Sequence, residues 1–132
     1  MIYVDSSFWI ARFLSRDRRH DQAVTLHRAA RSVPVVTSNH VLGETWTFLR
    51  KRAGHGRSMA WLDALVGEPG LRVEQIGAEL EAEAWGWLRT HDERPYSFVD
   101  ATSFALMRKL RIKDALAFDG DFAAAGFVEL RP

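Results

Sequence analysis

Short apolar runs alternate with amphipathic stretches along this chain, and that alternation limits the fold more than any other feature. Met1–Val4, Pro34–Thr37, Leu71–Glu74 and Ala115–Phe118 read as strands, and Gly126–Val128 reads as a further edge strand. Helical periodicity fills the gaps. Ser6 or Ser7 caps a first helix ending at Leu14, and Asp17 or Asp21 opens a second with Ala23, Leu26, His27 and Ala30 on one face. Ser38 or Asn39 caps a third with Val41, Thr45, Phe48 and Leu49 inward, stopped by Ala53-Gly54-His55-Gly56. Met59, Leu62, Leu65 and Val66 mark the inner face of a fourth, and Leu80, Ala84, Trp87 and Leu88 that of a fifth. After the loop Asp92–Pro95, a sixth turns Val99, Ser103, Leu106, Met107 and Leu110 inward. Strands separated by helices predict a parallel sheet of about four to five strands in an α/β/α sandwich, rich in helix.

A chain of 132 residues with 47% hydrophobic content and five Trp predicts one packed domain over 1–132. It contains no Cys, which excludes disulfides and thiolate metal sites. No apolar run nears the roughly 20 residues that span a bilayer, and no signal core follows Met1, so a soluble cytoplasmic protein without membrane partners is expected. The net charge of +1 hides basic clusters at Arg16–His20, Arg50–Arg52 and Arg108–Lys113. These read either as solvated helix ends or as a basic rim for a phosphate backbone.

Four acids give the chain its chemistry. Asp5 and Asp119 each end an apolar run, while Glu44 and Asp100 lie near the starts of helices, at the edge of the apolar face. Ligands of open parallel sheets collect beyond the carboxyl ends of the strands, so the four carboxylates are placed to converge. Neighbouring acids repel by roughly 4 kcal/mol per pair at about 4 Å and an effective dielectric of about 20, which a divalent cation relieves. Each acid also has a structural reading. Asp5 can cap the following helix, Ser97 and Asp100 have capping-box spacing, Asp119-Gly120 can be a turn, and Glu44 can be a surface acid. The chemistry that uses such a set is metal-assisted phosphodiester hydrolysis, in which Mg²⁺ or Mn²⁺ activates water and no side-chain nucleophile is needed.

At these residues the chain resembles the PIN-domain family, specifically its VapC-type toxin ribonucleases of type II toxin–antitoxin systems. The likeness rests on Ile2-Tyr3-Val4-Asp5-Ser6-Ser7, Thr37 through Glu44, Ser97-Phe98-Val99-Asp100-Ala101 and Ala115 through Phe122, in order across nearly the whole length. It implies a catalytic, metal-binding quartet at Asp5, Glu44, Asp100 and Asp119, with Asp121 as an auxiliary metal ligand and Ser6 and Ser97 lining the site. It further implies a Mg²⁺- or Mn²⁺-dependent endoribonuclease acting on structured RNA such as tRNA or rRNA, a cognate antitoxin that blocks the site, and a homodimer. In the family the helix pair joined at Ala53–Gly56 helps to form the antitoxin groove. One departure is Ala117, where relatives commonly carry Thr, so a hydroxyl near the last acid is missing.

Trp46, Trp61, Trp85 and Trp87 read as core or interface, with Trp85 best placed for a partner surface. His27 reads as a core histidine, and His40 as a weak ligand candidate beside Glu44. The competing function is a catalytically weak PIN module that binds RNA or a partner, favoured by Ala117. An aspartyl phosphatase built on Asp119-Gly120-Asp121 is disfavoured because only 11 residues follow Asp121. A receiver-like phosphoacceptor lacks a suitably placed Lys.

Overall fold

Ile2, Tyr3 and Val4 form β1 (Ile2–Val4), which lies at the centre of the sheet and is buried throughout, as an apolar run covered on both faces must be. The structure, a computed structural model, describes residues 1–132. β1 is followed by α1 (Ser6–Phe13), α2 (His20–Ala29), β2 (Val35–Ser38), α3 (Asn39–Ala53), α4 (His55–Val66) and β3 (Leu71–Glu74). Then come α5 (Ala78–Arg89), α6 (Phe98–Leu110), β4 (Asp114–Leu116), α7 (Asp121–Ala124) and β5 (Val128–Glu129). The strands lie in the order β3-β2-β1-β4-β5, all parallel, with Tyr3 opposite Val36 on one side and Ala115 on the other.

From β1 the chain steps outward to β2 and β3, then crosses back to β4 and β5. Right-handed crossovers made in opposite directions put α1–α4 on one face and α5–α7 on the other. Accordingly α1 packs on α2 and α3, α3 on α4, and α6 on α5 and α7. The expected α/β/α sandwich is the observed architecture, with five strands.

Capping chemistry sets where the helices start. The side chains of Asp5, Ser38 and Ser97 accept from backbone N–H groups of α1, α3 and α6. Helix α6 is the most deeply set, buried at every residue from Asp100 to Met107. Two buried hydroxyls are satisfied across the fold: Tyr3 OH donates to Ser103 Oγ at 2.7 Å, and Thr37 Oγ1 donates to the Val4 carbonyl at 2.8 Å. No helix is long and apolar enough to cross a membrane.

Several local expectations differ from what forms. Val66, expected inward, is 80% exposed, and Trp61 is buried in its place. The inner face of α4 is Ser58, Trp61 and Leu65, because the Trp61 ring packs edge-on against Trp9 at 6.5 Å. Ala117 and Phe118 are buried but lie past the end of β4. Asp17 does not open a helix; it accepts the Arg19 N–H at 2.8 Å in the turn before α2. His27 is not a core residue: its Nε2 lies 3.0 Å from Arg12 and 3.8 Å from Glu68 at the surface.

Candidate metal centre

β1 and β4 are adjacent, yet the connections leaving the two halves of the sheet run in opposite senses, and a crevice opens at such a switch point beyond the strand ends. Asp5 is the first residue after β1, Asp119 lies three residues after β4, and Asp100 is in the first turn of α6. Sequence order alone therefore delivers three carboxylates to one crevice.

Asp5 is 1% exposed. Its Oδ2 accepts from the Ser7 N–H at 3.1 Å and from Ser7 Oγ at 2.7 Å, while its Oδ1 is buried with no hydrogen-bond partner. Burial above all, then the charges of Asp119 and Asp100, push its pKa up to about 8 against the pull of Ser7. Asp100 closes a complete capping box: its Oδ2 accepts the Ser97 N–H at 3.0 Å, and its own N–H donates to Ser97 Oγ at 2.9 Å. Burial pushes Asp100 up to about 6, opposed by the Ser97 N–H and assisted by Asp119 and Asp121.

Asp119 and Asp121 flank a tight reversal at Gly120, whose φ of +84° suits glycine; a Cβ there would meet Arg94 Nη2 at 3.3 Å. Asp119 Oδ1 accepts the Asp121 N–H at 3.1 Å. Partial burial raises the Asp119 carboxyl, the Asp121 N–H lowers it, and the charges of Asp121 and Glu129 raise it again. Oxygens of Asp100, Asp119 and Asp121 all lie within 4.8 Å of one another. Asp121 also holds Arg94 Nε at 2.9 Å, so one anion of the cluster is already partly neutralised.

Asp5 stands outside this group of three, and so does Glu44. Glu44 accepts a 2.5 Å hydrogen bond from Ser6 Oγ, the residue next to Asp5. The charges of Asp5 and Glu44 both raise the buried Tyr3 phenol, after burial itself. Ser97 is engaged in the cap of α6. His40 is turned to Glu81 at 3.3 Å, with its ring against Phe98, so it takes no part in the carboxylate cluster.

The structural readings of Asp5, Asp100 and Asp119 are all observed: Asp5 caps α1, Asp100 completes the capping box of α6, and Asp119 accepts the Asp121 N–H in a turn. Each anchors a helix start or turn with one oxygen or through its backbone, and that anchoring fixes where the carboxylate points. Ser7 was legible only as a possible cap, yet its Oγ also accepts the Phe118 N–H at 3.0 Å and so joins the ends of β1 and β4 at the acid. Glu129, overlooked in the sequence, receives the Gly120 and Ala123 N–H groups at 3.3 Å and 3.1 Å and pins the acidic turn. The carbonyl of Ala117 accepts Arg131 Nη1 at 2.8 Å.

A buried carboxylate oxygen without a donor, facing neighbours that repel it, fits a cation as its partner. An all-oxygen set suits a hard divalent ion.

The description "PIN domain" matches residues 2–128. Over 132 residues, all of this chain, it is 57% identical to the 23S rRNA-specific endonuclease VapC20 of Mycobacterium tuberculosis strains CDC 1551 / Oshkosh and H37Rv, covering 99% of that protein. The crystal structure of Mycobacterium tuberculosis VapC20, described as a sarcin-ricin loop cleaving toxin, is similar with a TM-score of 0.92 at 55% identity, covering 100% of both chains. This chain belongs to the PIN-domain family.

Proposed function

We propose that this chain is a Mg²⁺- or Mn²⁺-dependent endoribonuclease of the toxin class that hydrolyses a phosphodiester bond in structured rRNA. The observation that carries the reading is the clustering of Asp100, Asp119 and Asp121 at the switch point of the sheet, with the buried Asp5 near enough for the charges of Asp119 and Asp100 to act on it. The 57% identity to VapC20 supports rRNA, and its sarcin-ricin loop, as the substrate. With a ribosomal substrate, the protein works in the cytoplasm.

Asp5, Glu44, Asp100 and Asp119 are the metal-holding residues in this reading, with Asp121 in support. A divalent ion held there supplies an acidified water and neutralises charge on the phosphate. The protein's own groups do the positioning. Ser7 fixes the Asp5 carboxylate, Ser97 fixes Asp100, Ser6 orients Glu44, and Arg94 keeps the turn of Asp119 and Asp121 in place. An RNA hairpin carrying the sarcin-ricin sequence is expected to be cut by the purified protein in Mn²⁺, to remain intact in excess EDTA, and to be cut again when Mn²⁺ is restored. Undiminished cleavage in EDTA, seen by gel, sinks the reading.

Ser7 carries a second prediction. Ser7→Ala removes one donor from Asp5 and the link to Phe118, and is expected to weaken Mn²⁺ binding about 10-fold in calorimetry, the lower range for loss of a group that orients a metal ligand. Ser7→Thr keeps the hydroxyl and is expected to retain most of the affinity.

Two partner surfaces fit the same reading. Leu42, Trp46, Met59 and Leu62 line a shallow apolar concavity between α3 and α4, suited to one face of an antitoxin helix. Trp85 on α5 is 53% exposed and stacks on Phe98 at 4.2 Å, a preorganised aromatic face for a homodimer contact.

A further inference from the structure

We propose that an arginine trough on the α1–α2 loop and the α3–α4 corner is a phosphate-binding subsite that grips the RNA strand leaving the metal centre. The proposal rests on the ribonuclease reading and adds to it a location and a direction for the substrate.

The near-neutral total charge conceals a strong segregation. Residues 1–67 carry ten Lys and Arg against five Asp and Glu, whereas residues 68–132 carry eight against twelve. The ion pairs follow the second half: Arg72, Arg94, Arg108 and Arg131 are each matched to an acid. Arg16, Arg18, Arg52 and Arg57 are exposed and have no carboxylate partner. Exposed cations that outnumber the acids among them, here Asp17 alone in the hollow of Arg16, Arg52 and Arg57, repel one another, an arrangement that an arriving polyanion stabilises.

Arg16, Arg52 and Arg57, from three separate segments, line one concavity of about 480 Å³. Two of these guanidiniums lie over aromatic rings: Arg52 Cζ is 5.2 Å from the Phe48 centroid and Arg57 Cζ is 5.2 Å from that of Phe13. A cation–π contact of this kind steadies the guanidinium without using its N–H donors, which remain for phosphate oxygens. The next concavity, about 300 Å³, is lined by Arg18, Arg19, Ser7 and Asp119, and Asp17 lines both. Arg19 rests over Phe118 at 5.6 Å, one residue before Asp119. The cationic surface thus runs from the carboxylate cluster, past Arg18 and Arg19, into the Arg16–Arg52–Arg57 hollow. This continuity with the reacting end favours RNA over an acidic protein segment as the occupant.

The test is binding of a fluorescent RNA hairpin in EDTA, so that affinity is read without cleavage. In the triple variant Arg16→Gln, Arg52→Gln, Arg57→Gln, the Kd at about 0.1 M salt is expected to rise on the order of 10- to 100-fold, and the log K against log salt slope to flatten by about 2–3. A control with equal charge loss on the other half, Arg72→Gln, Arg89→Gln, Arg108→Gln, is expected to change Kd less than about threefold, because its residues contact no RNA. Thermal melts check that both variants fold, and Arg57→Gln alone is expected to show a smaller loss in the same direction. Equal losses in the triple variant and the control would overturn the subsite, as would an unchanged slope. So would unchanged RNA affinity with lost binding of a poly-glutamate peptide, which would make the trough a protein-docking surface. If the unmodified protein cuts no RNA in Mn²⁺, the nuclease reading fails separately, while the EDTA titrations still report whether the trough binds RNA.

Discussion

Replacing Asp5 with Asn is expected to lower RNA cleavage by at least about 100-fold while making the metal-free protein more stable at pH 7.5. The loss of cleavage follows from removing a charged oxygen donor, which must cost at least as much as the outer-shell losses that already reach about 100-fold. The gain in stability follows from burial. In the unfolded chain Asp5 ionises near its ordinary 3.8, but inside the protein its pKa is pushed up to about 8. Folding at pH 7.5 therefore keeps or returns a proton on Asp5, at about 1.4 kcal/mol for each pH unit above 3.8, or several kcal/mol in all. Asparagine has no such cost and keeps an oxygen for Ser7. Its amide lies where Oδ1 now has no partner, and burying it unpaired costs about 1–3 kcal/mol. A net gain of about 2–4 kcal/mol, or several degrees in Tm, remains. The gain should shrink towards pH 5, where the native carboxyl and the unfolded one differ less in cost. A variant less stable than the parent at both pH values, in metal-free buffer, would mean that Asp5 is not the strained group described here.

Much of this site can be read from residue order. Asp5 and Asp119 follow buried apolar runs, and in a parallel sheet that places them at the same edge. Asp100 lies three residues after a Ser that caps its helix. These are local signals, and local chemistry decides them. Less was legible where packing between distant segments decides. Val66 and Trp61 both fit a helical period, and only the ring of Trp9 selects the second. Trp85 was visible as an outlier on its wheel, but its stacking partner Phe98 lies on another helix. Arg94 and Asp121 pair across a loop that no periodicity describes. The arginine trough draws on Arg16, Arg52 and Arg57, which look in sequence like ordinary helix-end cations. Only the close approach of α1 and the α3–α4 corner makes them one surface. Ser7 shows the intermediate case: its position suggests a cap, but Asp5 is the N-cap and Ser7 donates to it, and the bond of Ser7 to Phe118 depends on β4 lying beside β1.

Mn²⁺ is expected to bind the unmodified protein on the order of 10³- to 10⁴-fold more weakly at pH 5 than at pH 8, and to raise Tm accordingly only at the higher pH. The site must lose protons to hold a cation. Asp5 is raised to about 8 and Asp100 to about 6. Between pH 8 and pH 6 one carboxyl must be deprotonated on binding, which weakens the apparent affinity about tenfold per pH unit, and below pH 6 the second adds to the slope. The metal-free protein behaves in the opposite sense. Both groups have native pKa values above their unfolded ones, so their contribution to stability is fully present below about pH 4. It is lost progressively as pH rises, through about 6 for Asp100 and about 8 for Asp5. Apo and Mn²⁺-loaded melting curves should thus diverge as pH rises, because free ion stabilises the native state by RT ln(1 + [L]/Kd), about 2.7 kcal/mol at 100 times Kd. Calorimetry in buffers of different ionisation enthalpy, at pH 7, should show proton release close to one per ion, and Asp5→Asn should remove most of it. Proton release that survives Asp5→Asn, or a Kd flat from pH 5 to pH 8, would place the ion away from the buried carboxylate that ends the central strand.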